Sequence, residues 1–464
     1  MPVFHAYDIR GLSPEEIDST FARRLARALV KNYSPRRVLV GRDMRRTSIE
    51  IEAALVAELT ERGVGVVHIG LCSTPMFNVS VGLSMGNVDL GVMVTASHNP
   101  GIYNGFKIVR GDASPIGQGA GMEDLQESFE RDARLSETSQ KGTVTDDPAA
   151  LSRYVDHIIK LAALPSNMPK MKIAIDAGNG MAGAILPELL SRLPWIETVK
   201  LFFEPDGNFP NHEANPLKRE TLADLSAAVR EHGCDFGVAF DGDADRIGFI
   251  DDRGVPVAGD IVTALLAKEI IRIFPGGLVL YDVRSSWSVP EEISAAGGRA
   301  KMCRVGHAYI KRQMRDLGAV FAGEISMHYY FHTLWFVESG DLVLLYLLRL
   351  LAREGDSLSN LWQKIAEYDH SEEINFKVDD AAAVIARLRE IYSPEASALI
   401  EIDGIRREFR DSEGPKRDWW FSIRASNTEP LVRLNVETRS PEETKKRVEE
   451  LTNVILSRGE GSSI

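Results

Sequence analysis

The stretch "GVMVTASHNPGIYNGFK", residues 91–107, opens as a buried strand and ends in small, polar and turn-forming residues. An apolar run without polar alternation fits a strand covered on both faces of its sheet. The same pattern returns in "FGVAFDGDADR" (236–246) and "VFAGEISMH" (320–328). Each is preceded, by about 40 to 65 residues, by another apolar strand running into a Gly/Asp/Arg turn: "RVLVGRD" (37–43), "KIAIDAGNG" (172–180) and "GLVLYDVRSS" (277–286). Apolar strands alternating with helical segments indicate βαβ units, whose ligands sit beyond the carboxyl ends of the strands. Three similar α/β domains could therefore point three polar loops at one cleft.

Composition is consistent with that plan. A chain of 464 residues is too long for one hydrophobic core and suggests about three or four domains. The net charge of −13 argues against nucleic acid as a partner, because a phosphate backbone requires broad basic surface. An anionic small molecule remains compatible where basic residues converge. The most apolar run, "LVLLYLLRLL" (342–351), contains Arg349, falls short of a membrane span and reads as a buried helix. No protein partner is implied. Cys72, Cys234 and Cys303 are too scattered for a metal cluster, and "MPVFHAYDIRG" shows no secretory or transit pattern, so a cytoplasmic protein with reduced thiols is expected.

The joins are also legible. "ARLSETSQKGTVTDDPAA" (133–150) is polar and turn-rich, and "DDRG" (251–254) is a turn signal after a strand. The tail differs in kind: "WWFSIRAS" and "PLVRLNVETR" read as paired strands, and Ser440, Pro441 and Glu443 mark a helix start. The expected domains are 1–145, 146–253, 254–368 and 369–464, the last a smaller α+β unit.

The loops carry the chemistry. Asn99, Pro100 and Gly101 force a turn that leaves Ser97 at a corner beside His98. A turn serine ordinarily caps its own backbone. Here Tyr103, Asn104 and Lys107 follow on the same connection, a group suited to holding a phosphate or moving a proton. In "DGDADR" the alternating Asp241, Asp243 and Asp245 share one side of an extended segment, as a hard divalent cation requires. A solvated acidic turn and an aspartyl-phosphate enzyme with Asp241 as nucleophile are the other readings. "GEISMH" supplies Glu324, Ser326 and His328, suited to vicinal sugar hydroxyls, with His307 and Lys311 upstream. "RASNTEPLVR" offers Arg424, Ser426, Asn427, Thr428 and Arg433, which could chelate a phosphate or form an ordinary hairpin.

Together "AYDIRG" (6–11), "TASHNP" (95–100), "YNGFK" (103–107), "DGNFPNHEANP" (206–216), "DGDADR", "GEIS" and "RASNTEP" resemble, in order and over essentially the whole chain, the α-D-phosphohexomutase superfamily in its bacterial phosphomannomutase/phosphoglucomutase branch. The resemblance implies three α/β domains with mixed sheets and a smaller C-terminal α+β domain around a central cleft. It implies a phosphoryl group on Ser97, with Mg²⁺ held by Asp241, Asp243, Asp245 and the phosphoserine. Hexose 1-phosphate and 6-phosphate, of mannose or glucose, would interconvert through a hexose 1,6-bisphosphate. Arg246 and His98 match neighbours of the phosphoserine. Arg10, Tyr7, Lys107 and His307 match residues near the proton transfers and the sugar. Glu324 and Ser326 match the sugar loop, and Arg424, Ser426, Asn427, Thr428 and Arg433 match the grip on the phosphate that is not transferred. Two positions depart from the pattern: Arg284 stands where several members have a ligand-contacting lysine, and Met327, bulkier and flexible, stands where a small residue is common and could reshape the sugar pocket; both leave the sugar preference open. A phosphoglucosamine mutase, a metal-dependent phosphatase and a silent sugar-phosphate binder are the competing readings.

Overall fold

In the computed structural model, which describes residues 3–132, 140–410, 418–425 and 431–457, each of the three apolar runs is one strand of a sheet built on a shared plan. A first strand is flanked by two parallel neighbours, and the later neighbour turns back into an antiparallel partner. In the first sheet Arg37–Arg42 lies between Gly65–Leu71 and Leu90–Val94, and Leu90–Val94 pairs antiparallel with Tyr103–Arg110. In the second, Met171–Asp176 lies between Ile196–Leu201 and Phe236–Phe240, which turns back into Ile247–Ile250. In the third, Leu278–Asp282 lies between Arg299–Cys303 and Phe321–Gly323, which turns back into Tyr329–Phe331. Thus all three sheets are mixed, and each polar loop is the link of a hairpin at a strand's carboxyl end.

The remaining elements follow their sequence signals. Trp419–Ala425 pairs antiparallel with Leu431–Thr438 in a fourth, antiparallel sheet. The helix Pro441–Leu456 starts where its cap predicts, the Ser440 side chain accepting from the Glu443 amide. The run 342–351 lies in the buried helix Gly340–Glu354, where Arg349 donates to Glu269 at 2.6 Å and to the Ala162 carbonyl at 2.8 Å. Among the described residues no helix is long and apolar enough to cross a membrane.

One apolar cluster runs through the second and third sheets and reaches Met93 and Val109 of the first sheet and Phe77 of the helix Thr74–Leu83. This shared core fixes three loops relative to one another. The fourth domain has its own core around Trp419, Phe421 and Leu434. It meets the third through polar contacts, including Arg406 Nη1 to the carbonyls of Val283 and Ser285 at 2.8 Å each.

Candidate active site

Ser97 sits at φ 52°, a left-handed turn conformation uncommon for a residue with a Cβ, and is only 3% exposed. Arg45, fully buried, holds this turn. Its Nη2 donates to the Ser97 and Asn99 carbonyls at 2.8 and 2.6 Å, and its Nη1 to those of Pro100 and Tyr103 at 2.8 and 2.9 Å. Its Nε donates to Asp43 at 3.1 Å. One guanidinium thus satisfies four loop carbonyls. The segment 206–209 lies against the same turn: a Cβ on Gly101 would stand 2.4 Å from the Gly207 carbonyl, and one on Gly207 2.6 Å from the Arg45 Cα. This accounts for "DGNF" as a support for the serine loop.

The aspartate loop docks directly on that turn. A Cβ at Gly242 would lie 2.4 Å from the Ser97 carbonyl oxygen, so glycine allows the approach. As a result Ser97 Oγ donates to Asp241 Oδ2 at 3.1 Å, with His98 Nδ1 at 3.3 Å. Asp241, Asp243 and Asp245 are buried and offer carboxylate oxygens all within 4.8 Å of one another. Burial and the neighbouring Asp245 and Asp243 push the Asp241 carboxyl well above its ordinary range. Asp243 Oδ1 is buried without a hydrogen-bond partner among the described residues. Asp245 Oδ1 likewise has no hydrogen-bond partner among the described residues, and three converging carboxylates with two orphaned oxygens fit a divalent cation.

Lys107 and Thr74 complete the wall. Lys107 Nζ donates to Asp243 at 2.6 Å and Asp245 at 2.5 Å, and Thr74 Oγ1 donates to Asp243 at 2.6 Å. Burial alone would lower the Lys107 pKa, but the two carboxylates raise it, so the side chain is an ammonium. Arg10 Nη1 donates to Asn99 at 2.5 Å, and Arg246 Nε lies 3.3 Å from His328 Nε2. Burial and Arg246 lower the His98 pKa; burial with Lys311 and Lys107 lowers that of His307, which keeps its imidazole neutral. Tyr7 lies on His307 at 5.0 Å between ring centroids, and burial pushes its phenol up to about 12.

His328 joins the aspartate loop to the loop of Glu324 and Ser326. Its Nε2 lies 3.3 Å from Asp245 and its Nδ1 3.4 Å from Glu324, with Ser326 Oγ at 3.2 Å. Burial opposes its charge, yet the two carboxylates raise it to about 9. Glu324 accepts from the Gly306 amide at 3.1 Å and Tyr330 at 2.5 Å; burial is outweighed by His328, and its carboxyl falls to about 2. Arg284 holds Asp282 in a fork, at 3.1 and 2.8 Å, and shares Glu373 with Arg424 and Arg433. Ser426, Asn427 and Thr428 lie outside the described residues.

The Met327 side chain is 8% exposed, belongs to the apolar core and meets Gly248, because φ 66° at this residue turns the loop sharply. Arg45, Thr74, Tyr330 and Glu373 were not anticipated. Arg45 had a faint signal in "GRDMR", at the end of the strand leading into the helix Ser48–Glu61.

Sheets of one plan that send three different hairpin loops into a common cleft, with arginines arriving from a fourth domain, define a class: the phosphohexomutases, isomerases that relocate a phosphoryl group on a sugar. Family models agree along the chain. Residues 1–135, 152–254 and 258–368 match alpha/beta/alpha domains I, II and III of phosphoglucomutase/phosphomannomutase, and 373–454 its C-terminal domain. The chain belongs to the phosphoglucomutase/phosphomannomutase family. It is 40% identical over 461 residues to a protein of Xanthomonas campestris named phosphohexose mutases, covering 98% of this chain and 99% of that one. It is 38% identical over 451 residues to an Escherichia coli phosphomannomutase, covering 94% and 95%. A phosphoglucomutase/phosphomannomutase family protein from Burkholderia thailandensis superposes with a TM-score of 0.87 at 32% identity, over 98% of this chain and 97% of that one.

Proposed function

We propose that this chain interconverts hexose 1-phosphate and hexose 6-phosphate, of mannose and glucose, using Ser97 as phosphoryl carrier and a hexose 1,6-bisphosphate as intermediate. The observation that carries the reading is Ser97 Oγ 3.1 Å from Asp241 in a buried aspartate triad. Ser97, Asp241, Asp243 and Asp245 would hold Mg²⁺, which offsets the roughly −1.5 to −2 charges of a phosphoserine.

The chain's own groups do the rest. The phosphoryl group leaves Ser97 Oγ as its new bond forms to the free sugar hydroxyl, and the phosphate at the other end of the resulting bisphosphate later returns to the same oxygen. Arg246, Arg10 and the Lys107 ammonium supply positive charge around the group in flight. His307, kept neutral, is an acceptor for the sugar hydroxyl proton, with Tyr7 fixing its ring. Glu324, ionised, accepts hydrogen bonds from ring hydroxyls beside Ser326 and His328. Arg424 and Arg433, with Ser426, Asn427 and Thr428, grip the phosphate not in transfer, and Arg284 lies on the same side of the cleft. Because neither hydroxyl contact nor phosphate grip depends on C2, mannose and glucose both fit.

The domain limits we assign are 1–145, 146–253, 254–368 and 369–464; the edge strands Val144–Asp146 and Pro256–Val257 cross two of them by a few residues. Free, buried Cys72, Cys234 and Cys303 support a reducing, cytoplasmic setting. Steady-state turnover of mannose, glucose and glucosamine 1-phosphates with Mg²⁺ and catalytic bisphosphate tests the proposal. We expect the first two to turn over and Ser97→Ala to abolish turnover; preference for the amino sugar, or an active Ser97→Ala, overturns it.

A further inference from the structure

Three arginines meet one carboxylate at the seam between the third and fourth domains. Arg284 follows the strand Leu278–Asp282, while Arg424 and Arg433 are register partners on adjacent strands of the fourth sheet. Facing cations on neighbouring strands repel unless an anion lies between them. Glu373 is that anion. Its Oε2 accepts from Arg284 Nη1 at 3.3 Å and Arg424 Nη2 at 3.1 Å, and its Oε1 from Arg433 Nη1 at 3.3 Å.

We propose that Glu373 is an internal anion seated where the non-reacting phosphate of the substrate binds, and that this phosphate displaces it. The inference rests on the assignment of Arg424 and Arg433 as the phosphate grip. Charge-assisted N–H···O bonds run at about 2.7–2.9 Å, so contacts of 3.1–3.3 Å describe a guest that fits loosely. With Asp282 on Arg284, two carboxylate charges serve three guanidiniums. Arg424 Nε and Arg433 Nε are buried with no hydrogen-bond partner among the described residues, which leaves donors that a carboxylate with two oxygens does not satisfy. A phosphate monoester, with about two charges and three free oxygens, matches the surplus in both respects. Arg284 stays anchored on Asp282 when Glu373 leaves, so the incoming phosphate meets a guanidinium already fixed in place. The bound state therefore trades an internal ion pair for the substrate, which keeps phosphate affinity moderate and lets product depart.

The test is a calorimetric titration of inorganic phosphate into the full-length protein and its Glu373→Gln variant, with KM for the turned-over hexose phosphate measured in parallel. Removing the competing charge should tighten phosphate binding about tenfold and lower KM in the same direction. Unchanged or weaker binding, or a raised KM, would mean that Glu373 orients the arginines or is a bystander, and would overturn the inference. Should Glu373→Gln fail to fold, Glu373→Asp, too short to span all three arginines, must also bind phosphate more tightly than the parent. Tightening that survives Arg424→Ala places the phosphate elsewhere and equally overturns it. If the unaltered protein turns over no hexose phosphate, the functional reading fails by itself, while the phosphate titration still decides the role of Glu373.

Discussion

Replacing Gly242 by alanine adds one methyl group where the two central loops touch. The new Cβ would stand 2.4 Å from the Ser97 carbonyl oxygen, about 1 Å inside ordinary contact. The neighbour is backbone, and Arg45 ties that same carbonyl at 2.8 Å, so the serine loop cannot easily yield. The aspartate loop must recede, stretching the 3.1 Å contact between Ser97 and Asp241 toward 4 Å, beyond hydrogen-bond reach. A displacement of about 1 Å at a reacting group costs on the order of 100-fold in rate. Because Arg424, Arg433 and Glu324 lie on other elements, kcat should fall by about that factor while KM changes less than about threefold. Gly65→Ala is the control, since its Cβ would meet the Arg36 carbonyl at an ordinary 3.5 Å. The assay is steady-state turnover of glucose 1-phosphate with saturating bisphosphate, alongside thermal unfolding of each variant. A Gly242→Ala enzyme with near-parental kcat would refute the claim that loop docking sets the geometry of Ser97.

Arg45→Met should cost about 3–5 kcal/mol of stability, because it strands the buried Asp43 carboxylate and four carbonyls, and denaturant unfolding reads the loss directly. Asp341 is buried against Tyr154, and burial raises its carboxyl to about 6, above the unfolded value, so folding is penalised as pH rises through 6 and not below about 4. Asp341→Asn, which still accepts from Tyr154, should raise the unfolding temperature at pH 8 relative to the parent by the equivalent of ~2–3 kcal/mol at most, and much less at pH 4. Mg²⁺ at 100 times its Kd should stabilise the protein by about 2.7 kcal/mol, an effect that chelator reverses. Asp243→Asn should abolish that response while leaving the metal-free protein at least as stable, since it relieves repulsion within the triad; differential scanning fluorimetry with and without Mg²⁺ checks both.

Residues whose chemistry is local were legible in the sequence. The turn at Asn99–Gly101 and the alternation of Asp241, Asp243 and Asp245 are written within a few positions, and the strand runs before them fix where each loop sits. Likewise the Ser440 cap and the paired strands of the tail depend on near neighbours. Arg45 was not legible, because its partners are main-chain carbonyls 52 to 58 positions away that leave no mark on residue type. Glu373 was hidden for a related reason: its three arginines lie 51, 60 and 89 positions off, on two domains. The place of Met327 was not legible either, because it is a left-handed φ, unmarked in the residue type, that turns its side chain into the core. The contact of Ser97 with Asp241, 144 positions apart, became readable only through the ordered set of motifs.

The central claim is that Ser97 carries the phosphoryl group. Brief exposure of the protein to glucose 1,6-bisphosphate labelled in its phosphates, followed by digestion and mapping, tests it most directly. The account predicts acid-stable label on the peptide containing Ser97 and none in Ser97→Ala; acid-labile label on Asp241, or label retained in Ser97→Ala, would contradict it.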